Sequence, residues 1–93
     1  MRGAAEFLLP GDIDVTNAGA IGDRLCELAT ANGVVVVVGS AVTFVESRGL
    51  AMMARVQRVA EESGCDLSWR GFPVHVLRTI HTTGLDRYLR IEA

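Results

Sequence analysis

Residues 34–50, VVVVVGSAVTFVESRGL, decide the fold. The stretch opens with five consecutive valines, Val34 to Val38, between Gly33 and Gly39. A run of this length is short for a helix, and branching at Cβ suits a pleated strand. It has no polar alternation, so both faces are expected to be covered, as in the central strand of a parallel sheet. Burying each valine contributes about 1.5–3 kcal/mol relative to leaving it exposed. Beyond Gly39-Ser40 a helical spacing begins. Met52, Val56 and Val59 form one apolar stripe, Leu50, Met53 and Ala60 widen it, and Arg55, Arg58 and Glu62 make the solvated face. The spacing predicts a helix over 48–63, stopped by Gly64. Between strand and helix stand an acid, a hydroxyl, an arginine and a glycine: Glu46, Ser47, Arg48 and Gly49.

The same alternation continues on both sides. Upstream, AEFLLPG (5–11) is short, apolar and bounded by Pro10-Gly11, which predicts a strand ending in a turn. DIDVTN (12–17) reads as a loop. In NAGAIGDRLCELATA (17–31), Ile21, Leu25 and Leu28 recur at helical spacing while Asp23, Arg24 and Glu27 turn outward. Thr16 or Asn17 can cap this helix, since a short side-chain oxygen accepts from a first-turn N–H. Asn32-Gly33 is expected to end it with a residue that tolerates positive φ. Downstream, CDLSWRG (65–71) predicts a third strand, with Cys65, Leu67 and Trp69 alternating against Asp66, Ser68 and Arg70. Pro73 stands where a helix can begin. VHVLRTIHT (74–82) turns Val76, Leu77 and Ile80 inward and His75, Arg78 and Thr79 outward, and Gly84 closes it. RYLRIE (87–92) reads equally as a short strand or a helical turn. The pattern predicts an α/β fold: a small, mainly parallel or mixed β-sheet with right-handed crossovers, covered by three to four helices.

Length and composition set the bounds. At 93 residues one domain over 1–93 is expected, long enough to close one core. Nearly half the residues are apolar, which argues against disorder. The net charge is −2 and there is no basic block, so nucleic acid is not an expected partner. All nine basic residues are arginine, as a GC-rich genome would produce. No apolar run approaches a membrane span, and MRGAAEFLLPGD lacks the apolar core and cleavage site of a leader, so a cytoplasmic protein is expected. Cys26 and Cys65 lie far apart without CxxC spacing. They read as reduced, partly buried thiols, with a redox switch as the alternative. His75 and His81 do not share a helix face, so no paired metal ligation is expected. No G-x-S-x-G elbow and no glycine-rich phosphate loop is present, so neither catalytic residues nor a cofactor are expected.

The junction is the candidate site. In an open α/β sheet the functional edge lies beyond the carboxyl ends of the strands, where helices begin. Ser47 falls there. One reading makes it an N-cap worth about 1 kcal/mol. The other makes its hydroxyl an exposed phosphate acceptor beside free N–H groups and the positive end of the helix dipole. Thr43 and Ser40 are further acceptors in the same loop. The following turn, GLAMMA (49–54), is apolar on every side. Part of Leu50, Ala51 or Met52 is therefore expected at the surface, where methionine suits an adaptable protein interface. Asp12 and Asp14 read as turn-forming acids, or as part of the rim near Ser47.

Three blocks, PGDIDVTNAGAIGDRLCEL (10–28), VTFVESRGLAMMARV (42–56) and TTGLDRYLRI (82–91), together resemble the STAS domain of anti-sigma factor antagonists and sulphate-transporter tails. The family's second block usually reads aspartate, serine, serine or threonine, glycine, leucine; here it reads Glu46, Ser47, Arg48, Gly49, Leu50. The first block matches in Gly11-Asp12-Ile13-Asp14 and the last in Thr83-Gly84-Leu85-Asp86. The resemblance implies a non-enzymatic bacterial regulator, a monomer or weak dimer. It would bind an anti-sigma factor of the serine-kinase type, release a sigma factor, and be switched off by phosphorylation of Ser47. It also implies a partner surface drawn from Asp12, Asp14, Glu46, Arg48, Gly49, Leu50, Met52 and Arg55. The alternative within the family is a non-phosphorylated scaffold subunit of a signalling or lipid-transport complex. The chain departs from the family pattern in four places. Glu46 replaces aspartate, Arg48 replaces a small hydroxyl residue, Val38 stands where many members carry aspartate, and the N-terminus reads as short, without the additional strand that members usually have before AEFLLPG, which would leave a sheet edge bare.

Overall fold

The computed structural model describes residues 2–92. Strand β1 (Gly3–Leu8) leads through a two-residue strand, β2 (Asp12–Ile13), into helix α1 (Ala18–Ala31). Strand β3 (Asn32–Val38) follows directly, then the short β4 (Phe44–Val45) and helix α2 (Ser47–Glu62). Strand β5 (Asp66–Arg70), helix α3 (Val74–Thr82), a 3-10 turn (Leu85–Arg87) and β6 (Ile91–Glu92) complete the order. DIDVTN is thus not wholly loop: Asp12–Ile13 pairs in parallel with Phe44–Val45. A two-residue strand is too short to show a period in sequence.

The main sheet has the order β1-β3-β5-β6, with every pair parallel. Spatial order equals chain order, so each right-handed crossover steps the same way and delivers its helix to the same face. This corrects the expectation for the valine run. Val35 and Val37 are fully buried, but Val34 is 42% exposed, and Val36 and Val38 are half-buried. The inner rows continue through Leu67 and Trp69. The outer rows hold Leu8, Val38 and Arg70, then Glu6, Val36 and Ser68. Ser68 is buried even so, flanked along β5 by Asp66 and Arg70, whose side chains are held by Arg90 and Glu92. β1 is an edge strand.

α1 and α2 pack side by side over the inner face, with Leu25, Ala29, Met53, Val56 and Ala60 sealed between them and the sheet. One polar side chain joins them there: Gln57, 4% exposed, whose Oε1 accepts from the indole Nε1–H of Trp69 at 2.8 Å and from the Arg90 amide at 3.2 Å. α1 ends differently from the expectation. Asn32 is extended, at φ −127° and ψ 154°, and its side chain donates to Leu28 O at 2.9 Å, so the chain passes from helix to strand without a left-handed residue. Gly64 and Gly84 do take positive φ, 71° and 80°, where α2 and α3 stop. Proline at position 73 precedes the first residue of α3, and Val76 and Ile80 point into the core.

Candidate functional site

The β2–β4 ribbon builds the site. Its register sets Asp12 beside Phe44 and Ile13 beside Val45, and the Glu46 amide donates to Ile13 O at 2.9 Å. The Asp12–Asp14 turn is thereby fixed against the entrance to α2. Thr43 Oγ1 donates to Asp12 Oδ1 at 3.1 Å, and Asn17 Nδ2 donates to Asp12 O at 2.8 Å. Asn17 does not cap α1 with its side chain; its Oδ1 accepts from the Asp14 amide at 3.0 Å and so closes the turn. Asp14 accepts from both the hydroxyl and the amide of Thr16. These bonds, the hydroxyl's foremost, hold its carboxyl below the usual carboxylate range, because they favour the charged form. Asp12 is exposed and Asp14 half-buried. Among the described residues no group of three or more His, Cys, Asp or Glu could hold a metal ion.

Helix α2 begins at Ser47 itself. Glu46 is the N-cap residue, in extended conformation, and no side chain caps the helix. The N-cap reading of Ser47 is therefore corrected: the serine lies one residue inside, and its side chain is exposed. The first-turn amides are left without a side-chain acceptor. Two turns of physics explain the next residues. Gly49 is buried, and a Cβ there would lie 2.7 Å from Val45 Cγ1 and 2.8 Å from Ile13 Cγ2. Glycine is what lets α2 sit down on the ribbon. Of the three residues offered to the surface, Ala51 reaches it and Leu50 does so in part, but Met52 is buried, at 5%, as is Met53 at 0%, which corrects the expectation of an interface methionine. Leu50 is half-buried, while Ala51, Arg48 and Arg55 are exposed.

Arg48, Ala51, Met52 and Arg55 recur at helical spacing and line one side of a shallow groove of about 280 Å³. Val15, Ala18 and Gly19, at the start of α1, line the other. Arg55 pairs with Asp23 on α1, with Nη2 3.0 Å from Oδ1. The structure thus gathers the sequence-derived residues into two neighbouring parts: Asp12, Asp14 and Glu46 at the ribbon, Arg48, Met52 and Arg55 at the groove, with Ser47 where they meet. Gly49 lies beneath them as packing. Sequence reasoning missed Val15, which is 60% exposed, together with Ala18 and Gly19. The signal for Ala18 and Gly19 was the run of small residues opening α1. It also missed that His75 Nε2 lies 2.8 Å from Thr43 O, which ties the start of α3 to the ribbon loop.

The family profile described as "Mlab, STAS domain" matches residues 4–91. The fold recurs among solved structures. The STAS domain of a SulP transporter from Vibrio cholerae aligns with a TM-score of 0.76 and 13% identity, covering 98% of this chain and 73% of that one. The anti-sigma factor antagonist SpoIIAA in its unphosphorylated form aligns with a TM-score of 0.80 and 15% identity, covering 100% of this chain and 83% of that one. Comparison with the curated proteins found no match. No helix among the described residues is long and apolar enough to cross a membrane. The profile match runs almost from end to end of the described residues: the chain belongs to the STAS domain family.

Proposed function

We propose that this domain is a phosphorylation-controlled anti-sigma factor antagonist. It docks an anti-sigma factor of the serine-kinase type in the bacterial cytoplasm, frees a sigma factor, and loses its partner when Ser47 is phosphorylated. It is a binding module without catalysis of its own. The observation that carries this reading is the placement of Ser47: exposed, first in α2, at an uncapped helix end, between the ribbon acids and the groove arginines. The fold of SpoIIAA, an anti-sigma factor antagonist, supports it. A phosphate adds about −1.5 to −2 charge. The open amides of the first turn tolerate that charge, so the domain stays folded. A partner lying over Ser47 would have to desolvate it beside Asp14 and Glu46, and affinity falls.

The test is a binding assay with the cognate anti-sigma factor, kinase and ATP. Ser47→Ala keeps the partner bound when ATP is present, and Ser47→Asp weakens binding without it. If both variants behave as wild type, the switch is rejected.

A second reading has its own support. The SulP relative is the STAS domain of a transporter, and Arg48 occupies the position after the acceptor where the antagonist pattern has a small hydroxyl. On that reading the domain is a constitutive scaffold subunit of a signalling or lipid-transport complex, and Ser47 carries no phosphate. Intact mass of the protein purified from its own host, with and without phosphatase, separates the two.

A further inference from the structure

We propose that the groove between α1 and α2 seats one apolar side chain of a partner protein, and that Arg48 and Arg55 hold a carboxylate beside that side chain. The inference rests on the reading that the surface around Ser47 is where a partner docks, and it names the chemistry that partner must present.

Size comes first. Sites that enclose a small molecule run to about 300–1,000 Å³ and bury most of the ligand. This groove holds about 280 Å³ and is partly open to solvent. It suits a single side chain delivered by a larger body, the kind of anchor that carries most of the energy in protein interfaces. The floor is apolar: Ala18 and Met52 are buried beneath it, and Val15 and Ala51 are exposed along it. Gly19 keeps the α1 wall low, with nothing within 4 Å of where its Cβ would stand. Methionine adapts its shape to the guest.

Charge comes second. Both charged residues of the groove are arginines. Among the described residues Arg48 has no carboxylate partner. Arg55 has one, Asp23, whose side chain is 73% exposed. Exposed pairs of this kind contribute only about 0–1 kcal/mol, so an incoming carboxylate can share or replace Asp23. Guanidinium is planar and grips a carboxylate with two parallel N–H donors. The ribbon next door carries Asp12, Asp14 and Glu46 and repels an acid placed there. The partner's carboxylate is thus directed to one end of the surface, which fixes orientation as well as affinity. Ser47 precedes Ala51 by one helical turn on the same side of α2. A phosphate on Ser47 would compete for Arg48 with the partner's carboxylate. On this chain the switch would work by removing a cation from the groove as well as by repulsion.

The test uses the full chain, ¹⁵N-labelled, and two probes: the N-acetylated, C-amidated dipeptides phenylalanyl-glutamate and phenylalanyl-glutamine. The glutamate probe is expected to shift the Gly19 and Ala51 amides saturably. The glutamine probe, or the glutamate probe on Arg48→Gln, is expected to bind about tenfold more weakly or worse, because a charge-assisted pair is lost. Arg48 is exposed, so Arg48→Gln leaves the fold intact, and its undisturbed amide spectrum checks that. Equal binding of the two probes overturns the proposal. So do an unchanged affinity in Arg48→Gln and shifts confined to the outer sheet face around Leu8 and Val34. The probes need neither kinase nor anti-sigma factor. If they fail while Ser47→Asp still releases the partner, the groove assignment falls and the switch stands; the opposite pair of results removes the switch and keeps the groove.

Discussion

Gln57 is the one buried polar side chain of α2, and its replacement by leucine should be costly out of proportion to its size. Gln57 Oε1 takes two donors, Trp69 Nε1 at 2.8 Å and the Arg90 amide at 3.2 Å. Leucine fills nearly the same space and accepts neither. Trp69 has no exposed surface, so no water replaces the lost acceptor. A stranded buried donor costs about 1–3 kcal/mol. The Arg90 amide is only part-buried and recovers some hydration, so it adds less. The apolar gain from leucine offsets about 1 kcal/mol. The net loss is about 2 kcal/mol, which for a domain of this size lowers the melting temperature by about 8–16 °C.

The assay is urea unfolding of four proteins: wild type, Gln57→Leu, Trp69→Phe and the double variant. Trp69→Phe alone leaves Gln57 still bonded to Arg90. In the leucine background the same change removes the orphaned donor, so it should cost less there than in wild type. A coupling of about 0.5–3 kcal/mol is expected for a pair in direct contact. Additivity to within about 0.5 kcal/mol would refute the hydrogen-bond account and leave Gln57 as mere filler.

Gly49→Ala should destabilise by about 1–3 kcal/mol, because the added methyl meets Val45 and Ile13 in the ribbon. Gly19→Ala, with open space around it, should be neutral or gain up to about 1 kcal/mol from helix propensity; urea midpoints of opposite sign to these exclude the packing argument. Native thiol titration should modify Cys26 first. Cys65 is 7% exposed and its thiol is pushed up, chiefly by burial, so it should react only as the protein unfolds; equal rates would contradict this. His81 Nδ1 lies 2.5 Å from Asp86 Oδ2, and that hydrogen bond raises the histidine above its ordinary 6.5 and lowers the aspartate. The histidine's contribution is present below 6.5 and fades as pH rises through its raised value; the aspartate's is present above 3.8 and fades as pH falls through its lowered value. Asp86→Asn should bring the NMR titration of His81 back toward 6.5, and an unmoved titration would deny the pair.

The helices were legible because a helix needs only its own residues to declare a face. Val56 on α2, and Val76 and Ile80 on α3, are buried as their spacing required. Pro73, Gly64 and Gly84 stand at the helix ends for reasons local to the backbone. The sheet's covered side was not legible. Whether Val34 meets a helix or solvent depends on which way successive crossovers step, and five identical residues carry no record of that. The same limit hid the β2–β4 ribbon, whose two pairs join residues 32 positions apart. At the site, the junction motif placed Ser47 at the helix start. It did not distinguish the cap from the residue after it, since the two differ by one position. The groove was invisible for a further reason: it exists only where α1 crosses near α2, and its α1 wall is marked by small residues rather than by a chemical group.

The division of labour along α2 explains how one modification could act on a partner and spare the host. The residues that bind α2 to the sheet, Met53, Val56, Gln57 and Ala60, are buried; Ser47, Arg48, Ala51 and Arg55 are exposed. A charge added at Ser47 meets uncapped amides and solvent, where a helix terminus changes stability by about 0.3–1 kcal/mol, in the favourable direction for an anion. The same charge trapped unpaired in an interface costs about 2–5 kcal/mol, roughly thirtyfold to several thousandfold in affinity. Ser47→Asp should therefore melt within a few degrees of wild type while losing its partner. If Ser47→Asp instead melts as low as Gln57→Leu, the charge reaches the core, weakened binding would merely report unfolding, and the surface-switch account fails.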